Sequence, residues 1–304
     1  MISANSLSIL SQFYFNIKEN LRLLYQNSSF YEKKISKTLD SNFEYKPSPH
    51  LLSSVIKYQN KKYKIEDFAI ESIWQKNLNS KDYEKLNNFF WFFSLDLKSS
   101  KKTTQTVIKN WISNNNKFQK KSWEFDLTAK RIISWLSNHQ LTYEDSDQAY
   151  RSTFDHMIQK QTNHLLNEIK NSKEVENKLI GCAAIILTGL AYKNEKQYLL
   201  NGLNLLKNII KSSIDNQGFP KSRNIRQLIF YLKYFIIIRE WFKESQSLIP
   251  EYIDETIYYL GSSYAFIWQN IKQDIFFNGN YSSENKEFDQ YLKRFGYTFK
   301  NQIN

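Results

Sequence analysis

The sequence is poor in the residues that cross-link chains or hold metals: of 304 residues, one is cysteine and four are histidine. One thiol cannot close an intrachain disulfide, and it excludes a structural zinc site built on cysteines. Cys182 lies within an apolar stretch, where a thiol behaves as a small buried hydrophobe. His156 and His164 stand eight apart on one expected helix, not at the spacing of four that binds a metal from one face, and there is no HExxH. All four, His50, His139, His156 and His164, read as surface or hydrogen-bonded histidines. A Gly-rich phosphate loop, a GxSxG elbow and a paired-carboxylate motif are all missing. No cofactor is expected. The opening "MISANSLSILSQFYFNIKEN" has no basic n-region and no useful h-region, and other apolar runs fall short of a bilayer span. The expectation is a soluble chain without a cleavable signal or a membrane span, cytoplasmic, with a periplasmic or envelope location left open.

What is present suffices for a sizeable core, since 41% of residues are apolar and 16% aromatic. With 42 basic and 30 acidic residues the net charge is +12, which favours an acidic partner: nucleic acid, an anionic lipid face or an acidic polysaccharide. No long basic run marks a nucleic-acid arm, so nucleic acid is disfavoured.

From about Lys81 onward apolar residues recur at three and four, with no sustained alternation of two, so this part reads as all helix. The expected helices are 83 to 97, 104 to 115, 126 to 139, 146 to 170, 177 to 192, 195 to 214, 223 to 245 and 251 to 272. Short polar or Gly/Pro links pair them into four antiparallel hairpins. The helix over 177 to 192 is apolar all round, whereas its successor carries one apolar stripe. An enclosed helix followed by a one-sided one predicts inner and outer layers of a helical toroid. A stack of helical repeats is the competing arrangement, although no fixed-period motif is present. Residues 5 to 26 read as a helix. The following "FEYKPSPHLLSSVIKYQNKKYKIEDF" reads as an irregular lead-in or small hairpin around "QNKK".

The aromatics "FFWFF" (89 to 93), Trp111, Trp123 and Trp135 suit either sugar stacking or a helical core. Trp123 lies in a link before a helix, and Arg131 and Trp135, four apart on that helix, share a face. Asn177 opens "EVENKLIGCAAIILTGLAY" and is either a helix cap or a functional amide.

The ordered motifs "SWEFDLTAKRIISWLSNH", "IQKQTNHLLNEI", "VENKLIGCAAIILTGLAY", "DNQGFPKSRNIRQLIFYLKYFIIIREW" and "FFNGN" resemble the N-terminal domain of the heparinase II/III-like polysaccharide lyases. The resemblance runs from about Trp74 to Asn280. It implies an incomplete (α/α) toroid over 81–272, preceded by a helix and irregular lead-in over 1–80. A tail over 273–304 stands where a β-sandwich would follow. It implies β-elimination on an acidic, uronate-containing polysaccharide, with Asn177 in the place of the asparagine that neutralises the uronate carboxylate, as an oxyanion hole would. The implied substrate cleft is lined by Trp123, Arg131, Trp135, Arg223 and Arg226. Where the family carries a Tyr-His pair, this chain has Arg226 and Gln227, and arginine is no proton shuttle near neutral pH. The resemblance therefore implies the toroid half of a lyase, dependent for catalysis on a separately encoded β-sandwich partner. A noncatalytic glycan-binding or protein-interaction module is the alternative.

Overall fold

Many helix starts are fixed by a side-chain acceptor one residue before the first turn, the placement that satisfies otherwise orphaned N–H groups. Ser28, Asn79, Ser100 and Asp147 each accept from the backbone N–H three residues on, and Asn224 from the N–H of Arg226. The computed structural model describes residues 4–38, 42–55, 78–192, 196–268, 275–277, 280–282 and 286–299. Its first part holds α1 (Ala4–Gln26), α2 (Ser29–Ile35), α3 (Pro49–Val55), α4 (Ser80–Asn87), a 3-10 turn (Phe90–Ser94) and α5 (Lys101–Asn114). The layered part comprises α6 (Phe125–Ser137), α7 (His139–Thr142), α8 (Gln148–Glu168), α9 (Val175–Ala191), α10 (Lys196–Ser213), α11 (Ile225–Glu244) and α12 (Glu251–Trp268). An antiparallel pair, β1 (Ile275–Phe277) and β2 (Asn280–Ser282), and α13 (Lys286–Arg294) complete the described elements.

Helices α6, α9 and α11 are neighbours in an inner layer, while α8, α10 and α12 pack outside them. This alternation is the all-α, incomplete (α/α) toroid expected from the change in periodicity. All residues of α9 from Leu179 to Ala191 are buried, whereas α10 buries only Tyr198, Gly202, Leu206, Ile209 and Ser213, spaced three and four apart. The two helices approach closely at Gly189, where an added Cβ would lie 2.4 Å from the backbone nitrogen of Leu199. The inner helices run the same way. The ring of Phe125, at the start of α6, lies against Gly181 in α9, and Gln227 in α11 reaches Glu176 in α9.

The extended segment 42–48 closes the opposite end of this layer. Phe43, Tyr45 and Pro47 turn inward alternately, the Glu44 N–H donates to the last carbonyl of α9 at 2.9 Å, and Tyr45 donates to Glu244 of α11 at 2.8 Å. Residues 42–48 form neither helix nor strand, while the "PHLLSSV" that follows, expected as irregular lead-in, is the helix α3. The hairpin expected around "QNKK" lies outside the described residues. The open rim is the one formed by the N-terminal ends of α6, α9 and α11.

The helix expected over 83 to 97 is broken. Helix α4 stops at Asn87, Phe89 takes a left-handed conformation (φ 59°), and a 3-10 turn follows. Five successive aromatics have no polar side, and a continuous helix would turn some of them to water. The break buries Phe89, Phe90, Phe92 and Phe93 together. Toward the other terminus, the tail packs on the layers: Tyr297 donates to Glu240 of α11 at 2.8 Å and Tyr264 of α12 to Asp289 of α13 at 2.7 Å. Among the described residues no helix is long and apolar enough to cross a membrane.

Candidate functional site

The open rim is built from first helical turns, where partial positive charge on free N–H groups favours acceptors and anions. Glu124 is the N-cap of α6 and Asp126 follows it, paired with Lys130 at 2.8 Å. Burial, then the neighbouring Asp126 and Glu84, hold the Glu124 carboxyl above its ordinary range. Glu174 is the N-cap position of α9 and makes no side-chain cap. Asn177 sits three residues on, in the first turn, and its amide donates to the Glu174 carboxylate at 3.0 Å. It is therefore not the helix cap. On α11, the Gln227 amide donates to Glu176 at 2.6 Å while its carbonyl accepts from Ser222 at 2.5 Å and from Tyr231 at 3.4 Å.

A cavity of about 320 Å³ opens between the starts of α6 and α9 and the last turns of α1. Asn177 and Trp123 line it, with three cations, Arg22, Lys120 and Lys173, and four carboxylates, Glu124, Asp126, Glu168 and Glu174. Such a mixture offers many hydrogen-bonding groups of both kinds, as a polyhydroxylated ligand requires.

The other expected cleft residues go elsewhere, and two are corrections. Arg131 is wholly buried, not part of a cleft. Its guanidinium donates to Gln161 Oε1 (2.8 Å), the Asn87 carbonyl (2.8 Å), the Ser122 carbonyl (3.0 Å) and Thr128 Oγ1 (3.2 Å), and it stacks 3.9 Å over Trp111. At the break after α4, Arg131 donates to the Asn87 carbonyl, and Ser134 of α6 adds a donor to the Phe89 carbonyl that also accepts from the Phe92 N–H. Burial pushes the Arg131 pKa down to about 9. Trp135 does share a face with Arg131, but that face meets Phe89 and Trp111 edge-on in the core and is not offered to a sugar. Trp123 borders the cavity, yet it is 1% exposed and its indole donates to the Asn115 carbonyl at 3.1 Å, so it forms a wall and not a stacking platform. Arg223 takes a left-handed conformation in the turn before α11 and pairs with Asp215 at 2.5 Å. Arg226 is exposed in the first turn of α11, on the rim next to the Gln227–Glu176 contact.

Sequence reading missed the cations of the cavity, whereas His164 is the hydrogen-bonded histidine it expects. His164 is buried, with Nε2 facing the Trp123 carbonyl at 2.9 Å and Nδ1 facing the Tyr31 hydroxyl at 2.7 Å. A carbonyl only accepts, so Nε2 carries the proton and Nδ1 accepts from Tyr31. Burial depresses the pKa to about 3, and the ring is a neutral strut, not a proton carrier. No local signal marks this link, because Tyr31 and His164 are 133 residues apart. Arg22, Lys120 and Lys173 come from three segments that only the fold unites.

No family model matches the chain, and no curated protein matches it. Among solved structures, the crystal structure of heparinase III is similar to it, with a TM-score of 0.49 and 13% identity, covering 87% of this chain and 48% of that one. The chain spans about half the length of that structure. The similarity is distant, and the layered fold stands on its own helix contacts.

Proposed function

We propose that the protein is a glycan-binding helical module of heparinase-like form, and that its open rim receives a uronate-containing polysaccharide. The observation that carries this reading is the cavity in which Asn177 meets Arg22, Lys120 and Lys173. An amide has two N–H donors, and Glu174 takes one of those on Asn177. The other is available to a sugar carboxylate, for which the lysines supply charge and the first turn of α9 supplies a favourable dipole. The carboxylates across the cavity accept from sugar hydroxyls.

Binding, and not elimination by these residues alone, is the role assigned. Removing the C5 proton of a uronate requires a base beside the neutralised carboxylate. At the positions where the resemblance puts Tyr-His, Arg226 stays cationic and Gln227 does not titrate. His164 is sealed between Tyr31 and Trp123. Elimination in this setting draws on groups beyond that pair, such as those of a separate β-sandwich partner.

The test is retention on immobilised alginate and heparin against a neutral dextran column. The expected result is retention on the anionic columns that weakens with salt and is reduced in a Lys120→Ala, Lys173→Ala double variant. Equal retention on dextran, or none lost in the double variant, would overturn the reading.

A further inference from the structure

Helix α1 carries an apolar stripe that the other described residues do not cover. Its inner side is set by contacts with the body. Phe15 lies 4.1 Å beneath the Lys173 ammonium, Arg22 pairs with Glu168 at 3.4 Å, and Gln26 is buried. At 100° per residue, Phe15, Glu19, Arg22 and Gln26 fall on that one side. Tyr14, Ile17, Leu21 and Leu24 fall on the opposite side and are 71%, 42%, 61% and 70% exposed. Their spacings are three, four and three, and Leu7 and Leu10 extend the same register in the sequence. This is a heptad seam with Tyr14 and Leu21 at one core position and Ile17 and Leu24 at the other. Its regular period calls for another helix, because only a helix presents knobs at matching intervals.

We infer that α1 pairs with the α1 of a second copy of this chain, forming a two-helix coiled coil along Tyr14, Ile17, Leu21 and Leu24. The seam is nearly uncharged, so self-pairing meets little repulsion. No ionised residue occupies a core position, and among the flanking positions Ser6, Ser11, Phe13, Lys18, Asn20 and Tyr25 only Lys18 is charged, so two copies bring no row of like charges together. The body-facing side of α1 lies opposite the seam, so both bodies sit on the outside of the pair. A flat lipid surface fits less well, since α1 lacks the Lys/Arg-rich polar face of an interfacial helix: Lys18 and Arg22 are offset by Glu19. The inference is independent of the rim and its glycan.

Sedimentation equilibrium of the full chain tests it. The expected mass is twice the 36.4 kDa of one chain, and added salt strengthens the dimer by screening the +12 charge. Ile17→Glu and Leu24→Glu act on exposed side chains and leave the helical dichroism unchanged. Each weakens association by at least about tenfold, while Gln12→Glu, at an exposed position off the seam, leaves the dimer intact. A monomeric parent overturns the inference. So does a dimer that both seam variants preserve, because the contact then lies elsewhere. In a parallel arm with anionic phosphatidylserine vesicles, a monomeric parent that co-sediments, with loss of co-sedimentation in Ile17→Glu, would identify the stripe as a lipid face and exclude the coiled coil.

Discussion

The mouth and the interior of the inner layer are made from the same three helices and follow different rules. In α9 the residues from Val175 to Lys178 are half-buried and mostly polar, and every residue from Leu179 to Ala191 is buried. In α6 Phe125 and Asp126 border the rim cavity while Arg131 and Trp135, further along the helix, are buried. In α11 Arg226 is exposed and Leu228 is fully buried. Depth from the helix start therefore decides which polar residue faces a ligand and which one serves the core. A cation in the first turn lies at the surface. The same residue type two turns down must spend its donors on backbone carbonyls.

Arg131 gives the largest expected effect. Arg131→Met leaves the carbonyls of Asn87 and Ser122 and the amide oxygen of Gln161 without the donors now within 3.0 Å. Orphaned buried acceptors cost about 1–3 kcal/mol each, partly offset because the variant no longer buries a cation. A net loss of about 3 kcal/mol in urea unfolding is expected. If the variant is as stable as the parent but fails to bind glycan, Arg131 belongs to the mouth and the comparison breaks.

The second prediction concerns pH. His164 is neutral in the fold with a pKa near 3, against about 6.5 in an unfolded chain. The unfolded state therefore binds a proton that the folded state refuses once the pH drops below about 6.5, and stability falls with pH from there toward 3. The limiting slope from this one residue is about 1.4 kcal/mol per pH unit. His164→Gln retains a donor for the Trp123 carbonyl and does not titrate. Thermal unfolding between pH 6.5 and 5, above the ordinary carboxylate range, should show a shallower acid slope in the variant. Equal slopes would mean that His164 is not sealed.

These predictions also mark what the sequence could and could not disclose. The contrast between α9 and α10 is local: apolar residues on all sides in one, every three or four in the other, so layers and hairpins were legible. "FFWFF" has no period at all, and its 3-10 turn was not. Arg131 and Trp135 share one face, but what covers that face, Asn87, Phe89 and Trp111, comes from 20 to 46 residues earlier in the chain. Periodicity assigns residues to a face and leaves its neighbour unnamed. Asn177 lies at a helix mouth, yet the helix starts three residues before it at the Glu174 cap, and the polar run "EVEN" gives no sign of which residue that is. The cations of the cavity carry no pattern because α1, the loop before α6 and the loop before α9 each contribute one.

The smallest expected effect on stability is at Asn177, where the consequence for binding is the greatest. Asn177→Ala removes one half-exposed hydrogen bond to Glu174 and no cap, so its stability should stay within about 0.5 kcal/mol of the parent. Asn177→Asp should also fold normally. A carboxylate in the first turn of α9 gains from the helix end, and that gain opposes its repulsion from Glu174. The two variants part at the ligand. Alanine withdraws a donor and weakens glycan retention in part. Aspartate sets a second negative charge where the uronate carboxylate would lie and abolishes retention. If alanine melts earlier by about 1 kcal/mol, the side chain is serving as a cap despite its place in the first turn. If aspartate binds like the parent, the uronate lies elsewhere on the rim, and the Gln227–Glu176 contact beside Arg226 becomes the position to probe.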